Sequence, residues 1–203
     1  MKLAKVGRND VYLDLGCGWG QNLIIALTEF NVKYAIGIER NKKRYRKAVS
    51  RIKKLGLSDR CTIINKDFLK VLKAKSDRFG IAKATVVFYG LSTDEETFGD
   101  LKKRLRHGCR LLYYYLCVFP EIMPDKADFP FYVSRVPFKE MISERAWLLS
   151  IVQKQKSSIK NAKPPSTDEL WGEMRHDYDV WGDRRDATYY KRWMSKFLRR
   201  KQK

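Results

Sequence analysis

The residues of this chain whose types and spacing could do chemistry are Asp14, the glycines Gly16, Gly18 and Gly20, and Glu39. Val11 to Leu15 reads as a buried strand, the glycines as a turn, and Gln21 as the start of a helix. Glycines there permit a tight turn, a close backbone approach to a ligand and close packing of helix on strand. The free N–H groups at the helix start would face an anionic group. A second strand is expected from Lys33 to Ile38 and ends on Glu39. At the C-terminal edge of a neighbouring parallel strand, such a carboxylate accepts both hydroxyls of a ribose. A glycine turn alone is equally at home as a purely steric device, and the acid closing the next strand is what tilts the reading toward a ribose-bearing ligand. The spacing is G-x-G-x-G, not the G-x-G-x-x-G of nicotinamide sites.

Elements that alternate in type must position these residues. A helix is expected from Gln21 to Phe30, where Leu23, Ile24, Ala26 and Leu27 form an apolar stripe, and another from Lys42 to Leu55, stopped by Gly56. Strands are expected at Cys61 to Ile64, Ala84 to Gly90 and Arg110 to Phe119, with a helix from Thr93 to Arg106 between the last two. The order β-α-β-α-β implies an α/β fold with a mostly parallel sheet. Phe131 to Val136 and Ala146 to Gln153 would complete it as an antiparallel pair. The domain is expected to end at residue 153, and 154–203 to be a basic, aromatic-rich, helical C-terminal extension. It holds Trp171, Tyr178, Trp181, Tyr189, Tyr190 and Trp193, and aromatics on helical spacing more often pack than read bases.

Charge is the compositional anomaly: 43 Lys and Arg against 23 Asp and Glu give a formal net charge of +20 over 203 residues. Such an excess points to an acidic partner, above all nucleic acid. The basic helix 42–55 and the tail 191–203 are the candidate surfaces, against the alternative of simple solvation. Cys17, Cys61, Cys109 and Cys117 are scattered, without a C-x-x-C pair, which argues against zinc and for reduced thiols. The start lacks the apolar core of a signal peptide and no apolar run is long enough to span a membrane, so a cytoplasmic protein is expected, associated with chromatin or ribosomes if it meets nucleic acid.

The run Asp14-Leu-Gly-Cys-Gly-Trp-Gly-Gln21, with Glu39 closing the second strand, resembles motif I of the class I S-adenosylmethionine (SAM) methyltransferases. The resemblance implies a Rossmann-like sheet of seven strands and SAM as cofactor. It implies that Gly16, Gly18 and Gly20 line the methionine end with Asp14 and Gln21 nearby, and that Glu39 holds the ribose. It also implies that Asp67 lies beside the adenine amine and Phe68 against the ring. In that fold the acceptor approaches over the end of strand four, which assigns the catalytic mouth to Phe88 and Tyr89, whose faces suit a cationic methylsulfonium. Alternation along the strand makes one of the two a core residue. There is no Asp/Asn-Pro-Pro-Tyr/Phe of amino-methylating nucleic-acid enzymes here, and Cys117 lacks the adjacent proline of cytosine C5 enzymes.

From Val11 to Pro120 the pattern is most similar to the archaeal protein lysine methyltransferases and the Dot-type histone lysine methyltransferases. Asn31 to Glu39 and Leu101 to Leu112 carry that likeness beside motif I. It implies methylation of lysine in a nucleic-acid-associated protein, a neutral amine being favoured by desolvation near Tyr89 and Tyr113 to Tyr115. Methylation of tRNA or rRNA is the alternative reading, and a non-catalytic binding protein of the same fold the third.

Overall fold

The computed structural model describes residues 1–77, 79–90, 95–114, 122–128 and 131–140. Five strands, β1 (Val11–Leu15), β2 (Tyr34–Ile38), β3 (Cys61–Ile64), β4 (Val86–Tyr89) and β5 (Arg110–Tyr114), alternate with four helices, α1 (Gln21–Thr28), α2 (Lys42–Lys54), α3 (Phe68–Leu72) and α4 (Glu95–Arg104). Then come β6 (Ile122–Met123), β7 (Lys126–Asp128), β8 (Phe131–Arg135) and β9 (Lys139–Glu140). The seven-stranded sheet runs β3-β2-β1-β4-β5-β8-β7; its first five members are mutually parallel, and β8 and β7 are antiparallel additions. Strands β6 and β9 form a separate antiparallel pair. The sheet has the seven strands, mostly parallel, of the expected Rossmann-like architecture.

Both faces of the sheet are covered, which is why its central strands read as near-continuous apolar runs. On one face Leu13, Leu15, Ile38, Val87, Tyr89, Leu111 and Tyr113 pack under Val71 and Leu72 of α3 and Phe98 and Leu101 of α4. On the other, Tyr12, Ala35, Val86 and Leu112 pack under Leu23, Ala26 and Leu27 of α1 and Ile52 of α2. Alternation along each strand separates the two sets. A five-residue helix such as α3 would not persist alone; its buried Val71 and Leu72 hold it in place.

The antiparallel end differs from expectation in one respect. Strand β8 matches the expected run, but its outer partner is β7, which precedes it in the chain. The run Ala146 to Gln153 expected there lies outside the described residues, as do the boundary at 153, the extension 154–203, the tail 191–203, Tyr115 and Cys117.

At the N-terminal edge of the parallel strands a polar cluster fastens the first residues. Thr85 Oγ1 accepts the Val11 N–H at 3.0 Å and donates to Asp10 Oδ1 at 2.7 Å. Arg110 pairs with Asp10 and donates to the carbonyls of Ala4 and Lys5 at 2.7 and 2.8 Å. Residues 1–10 therefore lie at the end of the sheet opposite the glycine turn. The described thiols Cys17, Cys61 and Cys109 are free and buried; burial pushes Cys61 and Cys109 up to about 12.

Candidate active site

The C-terminal edges of β1, β2 and β3 enclose the candidate site. After Leu15 the chain turns so tightly that the N–H groups of Gly16 and Cys17 both donate to the Ile38 carbonyl at 2.9 Å. Gly20 takes φ 75° as the N-cap of α1, and a Cβ there would stand 3.2 Å from Ala48 Cβ. A side chain at that position would be strained and would push the turn off α2. Gly37 shows the same economy in β2: a Cβ would meet Leu23 Cδ1 at 2.6 Å and Cys17 Sγ at 2.7 Å.

Glu39 is the hub of the edge. It is 3 % exposed. Its Oε2 accepts the Gly18 N–H at 2.9 Å, and its Oε1 accepts the Asn41 N–H at 2.7 Å and an Arg44 guanidinium N–H at 3.1 Å. One carboxylate thus joins the glycine turn to the start of α2. Asn65 reinforces the joint by donating to the carbonyls of Glu39 and Arg40 at 2.8 and 3.2 Å. Asp67 caps α3, accepting the Leu69 N–H at 3.0 Å, and its other oxygen lies 3.7 Å from Arg40. A cavity of about 510 Å³ opens between these groups, lined by Gly16, Gly18, Trp19, Ile38, Glu39, Arg40, Arg44, Lys66, Asp67, Phe68 and Leu69.

Asp14 lies one residue before the end of β1 and is 2 % exposed. Burial pushes its carboxyl up to about 7; a hydrogen bond with Asn22 opposes the shift and the charge on Glu39 adds to it. Its Oδ2 has no hydrogen-bond partner among the described residues, and neither has Arg44 Nε. A buried acceptor without a donor costs stability. Its retention beside the turn, together with a cavity edged by carboxylates and apolar side chains, fits a cofactor that brings an ammonium, a ribose diol and an aromatic ring.

The structure brings Gly16, Gly18, Glu39, Asp67 and Phe68 together around one cavity. Asp14, Gly20 and Gln21 stand behind it as the strand end and helix start that shape the turn. The aromatic pair at the end of β4 needs correction. Tyr89 is fully buried, its ring 6.2 Å from that of Phe98, because its side of the strand is the one α4 covers. Phe88 is the partly exposed one, on the opposite face beside Asp14, its register partner on β1. Tyr89 is therefore a core residue. Tyr113 is also core, hydrogen-bonded to Ser134 at 3.0 Å, so neither tyrosine presents a face to a substrate.

Three contributors escaped the sequence reading. Arg44 sat inside a basic run that resembled a solvated face, and Asn65 carried no motif. Trp19 is 46 % exposed, and its position between two turn glycines was the available signal, because a turn cannot bury an indole on its own.

A methyltransferase domain family matches residues 7–176. A protein-lysine N-methyltransferase of Saccharolobus islandicus is 38% identical over 114 residues, which cover 55% of this chain and 66% of that relative. The match thus spans just under two thirds of the relative's length. Among solved structures, an RNA methyltransferase from Salinibacter ruber in complex with S-adenosyl-L-homocysteine is similar with a TM-score of 0.56 and 25% identity, over 70% of this chain and 90% of that one.

Proposed function

The chain belongs to the methyltransferase domain family and uses SAM, and we propose that its acceptor is the ε-amine of lysine in a nucleic-acid-associated protein. The observation that carries the choice of acceptor is the 38% identity to a protein-lysine N-methyltransferase. We place the work in the cytoplasm, at chromatin or ribosomes.

When bound, SAM supplies an electrophilic methyl group on a sulfonium. The chain's own residues do the rest. In this reading Glu39 takes the ribose hydroxyls, exchanging part of its present bonding to Asn41 and Arg44. Asp14 provides the negative charge for the ammonium through the turn it supports, with Gly16 and Gly18 against the methionine end and Gln21 opening α1 behind them. Asp67 and Phe68 meet the adenine. Phe88, at the mouth of β4, holds the acceptor in line and excludes water, which is the main demand of methyl transfer. Its apolar ring also disfavours the charged form of an incoming lysine, whose amine must be neutral to attack.

Methylation of RNA is the second reading, supported by the likeness to the Salinibacter ruber enzyme and by the basic α2. A transfer assay with methyl-labelled SAM and demethylated host extract separates the two. Lysine methylation predicts label that resists ribonuclease and is lost to protease. Label that resists protease and is lost to ribonuclease would replace it with the RNA reading.

A further inference from the structure

Helix α2 carries eight Lys and Arg in 13 residues and no acid in its first turn. Two of them have internal work: Arg44 holds Glu39, and Arg51 holds the Trp19 carbonyl at 2.9 Å and Gln21 Oε1 at 2.6 Å. Lys42, Lys43, Arg46 and Lys47 are exposed, and none of the four is ion-paired among the described residues. Their placement works against the helix. Lys42 and Lys43 stand at the positive end of its dipole, and the pairs Lys42 with Arg46 and Lys43 with Lys47 set like charges one turn apart. An anionic partner lying along the helix would relieve both repulsions.

The same four cations, with Ser50 and the Trp19 indole, line an open groove of about 750 Å³. The Trp19 main chain is fixed there. Arg51 clamps its carbonyl, and the adjoining Gly20 packs against Ala48 of α2. Trp19 also lines the cofactor cavity, so the groove and the candidate active site share that residue.

We infer that this groove binds single-stranded nucleic acid, with phosphates on Lys43, Arg46 and Lys47 and an unpaired base stacked on Trp19. Lys43 and Lys47, four residues apart, are spaced by about 6 Å along the helix axis, so the two can hold neighbouring phosphates of an extended backbone, with Arg46 beside them. The indole decides between partners. An acidic peptide would use the cations and leave the aromatic face without a role, whereas a base has a π-face for it. It also decides the strand state, because a paired base has both faces covered by its neighbours. The inference rests on the proposed function only for nucleic acid as the partner, and its test reads binding without methyl transfer, so the two fail separately.

The test is fluorescence anisotropy of the full chain with a labelled oligothymidylate and an abasic oligomer of equal length, each over a salt series, with circular dichroism as the folding control. Trp19→Ala should weaken oligothymidylate binding about tenfold and leave the abasic oligomer unchanged. Trp19→Phe should restore most of the loss. The exposed triple change Lys43→Ala, Arg46→Ala, Lys47→Ala, which leaves the core intact, should weaken both ligands and flatten the salt slope by about 2. The inference is overturned if Trp19→Ala affects both oligomers equally or neither, or if the triple variant keeps the wild-type slope. It is also overturned if an oligoglutamate of equal charge binds as tightly as the oligothymidylate.

Discussion

The two ends of the central sheet treat buried charge in opposite ways. At the N-terminal edge, Asp10, Thr85 and Arg110 satisfy one another and two backbone carbonyls, joining β1, β4, β5 and the first residues into one network. At the C-terminal edge, Asp14 stays buried with one oxygen unpartnered among the described residues, and Glu39 holds a turn that must also admit a ligand. Both ends belong to one sheet and share β1, so packing alone does not explain the difference. An edge built for stability closes its polar groups on each other, and an edge built for binding leaves some for its ligand.

The largest expected effect lies at the closed end. Arg110→Ala leaves Asp10 buried without its partner and should cost about 3 kcal/mol in denaturant unfolding, while SAM affinity measured by calorimetry stays at the wild-type value. A parallel fall in affinity would break the contrast between the ends. Next comes Glu39→Ala at the open end. Loss of the charge-assisted bonds we propose it makes to the ribose should weaken SAM binding by about tenfold to a hundredfold.

Asp14→Asn sharpens the comparison, because here the account predicts a gain. The carboxyl is pushed from 3.8 to about 7 in the fold, so the folded state holds its proton more tightly than the unfolded chain does. Its contribution is therefore favourable at low pH, declines as pH rises from about 3.8 to about 7, and stays unfavourable above that. The penalty above pH 7, offset by burying an amide in its place, should leave the variant about 2 kcal/mol more stable than wild type at pH 8. The difference should shrink as pH falls toward 4, and SAM binding should weaken. Unfolding curves at several pH values check the sign. The smallest effect belongs to Arg51→Gln, which releases the turn from α2. It should lower stability by about 1 kcal/mol and reduce SAM affinity a few-fold, read by the same two measurements.

Much of this was legible in the residues. The buried parallel strands announced themselves as apolar runs, and the glycine turn and Glu39 lay where motif and strand order put them. Strand β7 was not legible, because Lys126-Ala-Asp128 sits between Pro124 and Pro130 and carries the charges of a protected edge, which read as loop. Alternation showed that Phe88 and Tyr89 face opposite sides, but not which side α4 would cover. Arg44 was hidden for a similar reason: within α2 every cation looks alike until the turn of the helix aims one at Glu39. Asp14 could be picked out by its spacing from the glycines, but its missing partner is a property of the packed structure.

The most direct test of the account is a calorimetric titration of SAM into wild type, Glu39→Ala and Arg110→Ala at one pH. The account predicts saturable binding to wild type, the same affinity in Arg110→Ala, and binding at least tenfold weaker in Glu39→Ala. Glu39→Ala binding as wild type does would contradict it, because the carboxylate at the hub of the open edge would then have no part in holding the cofactor.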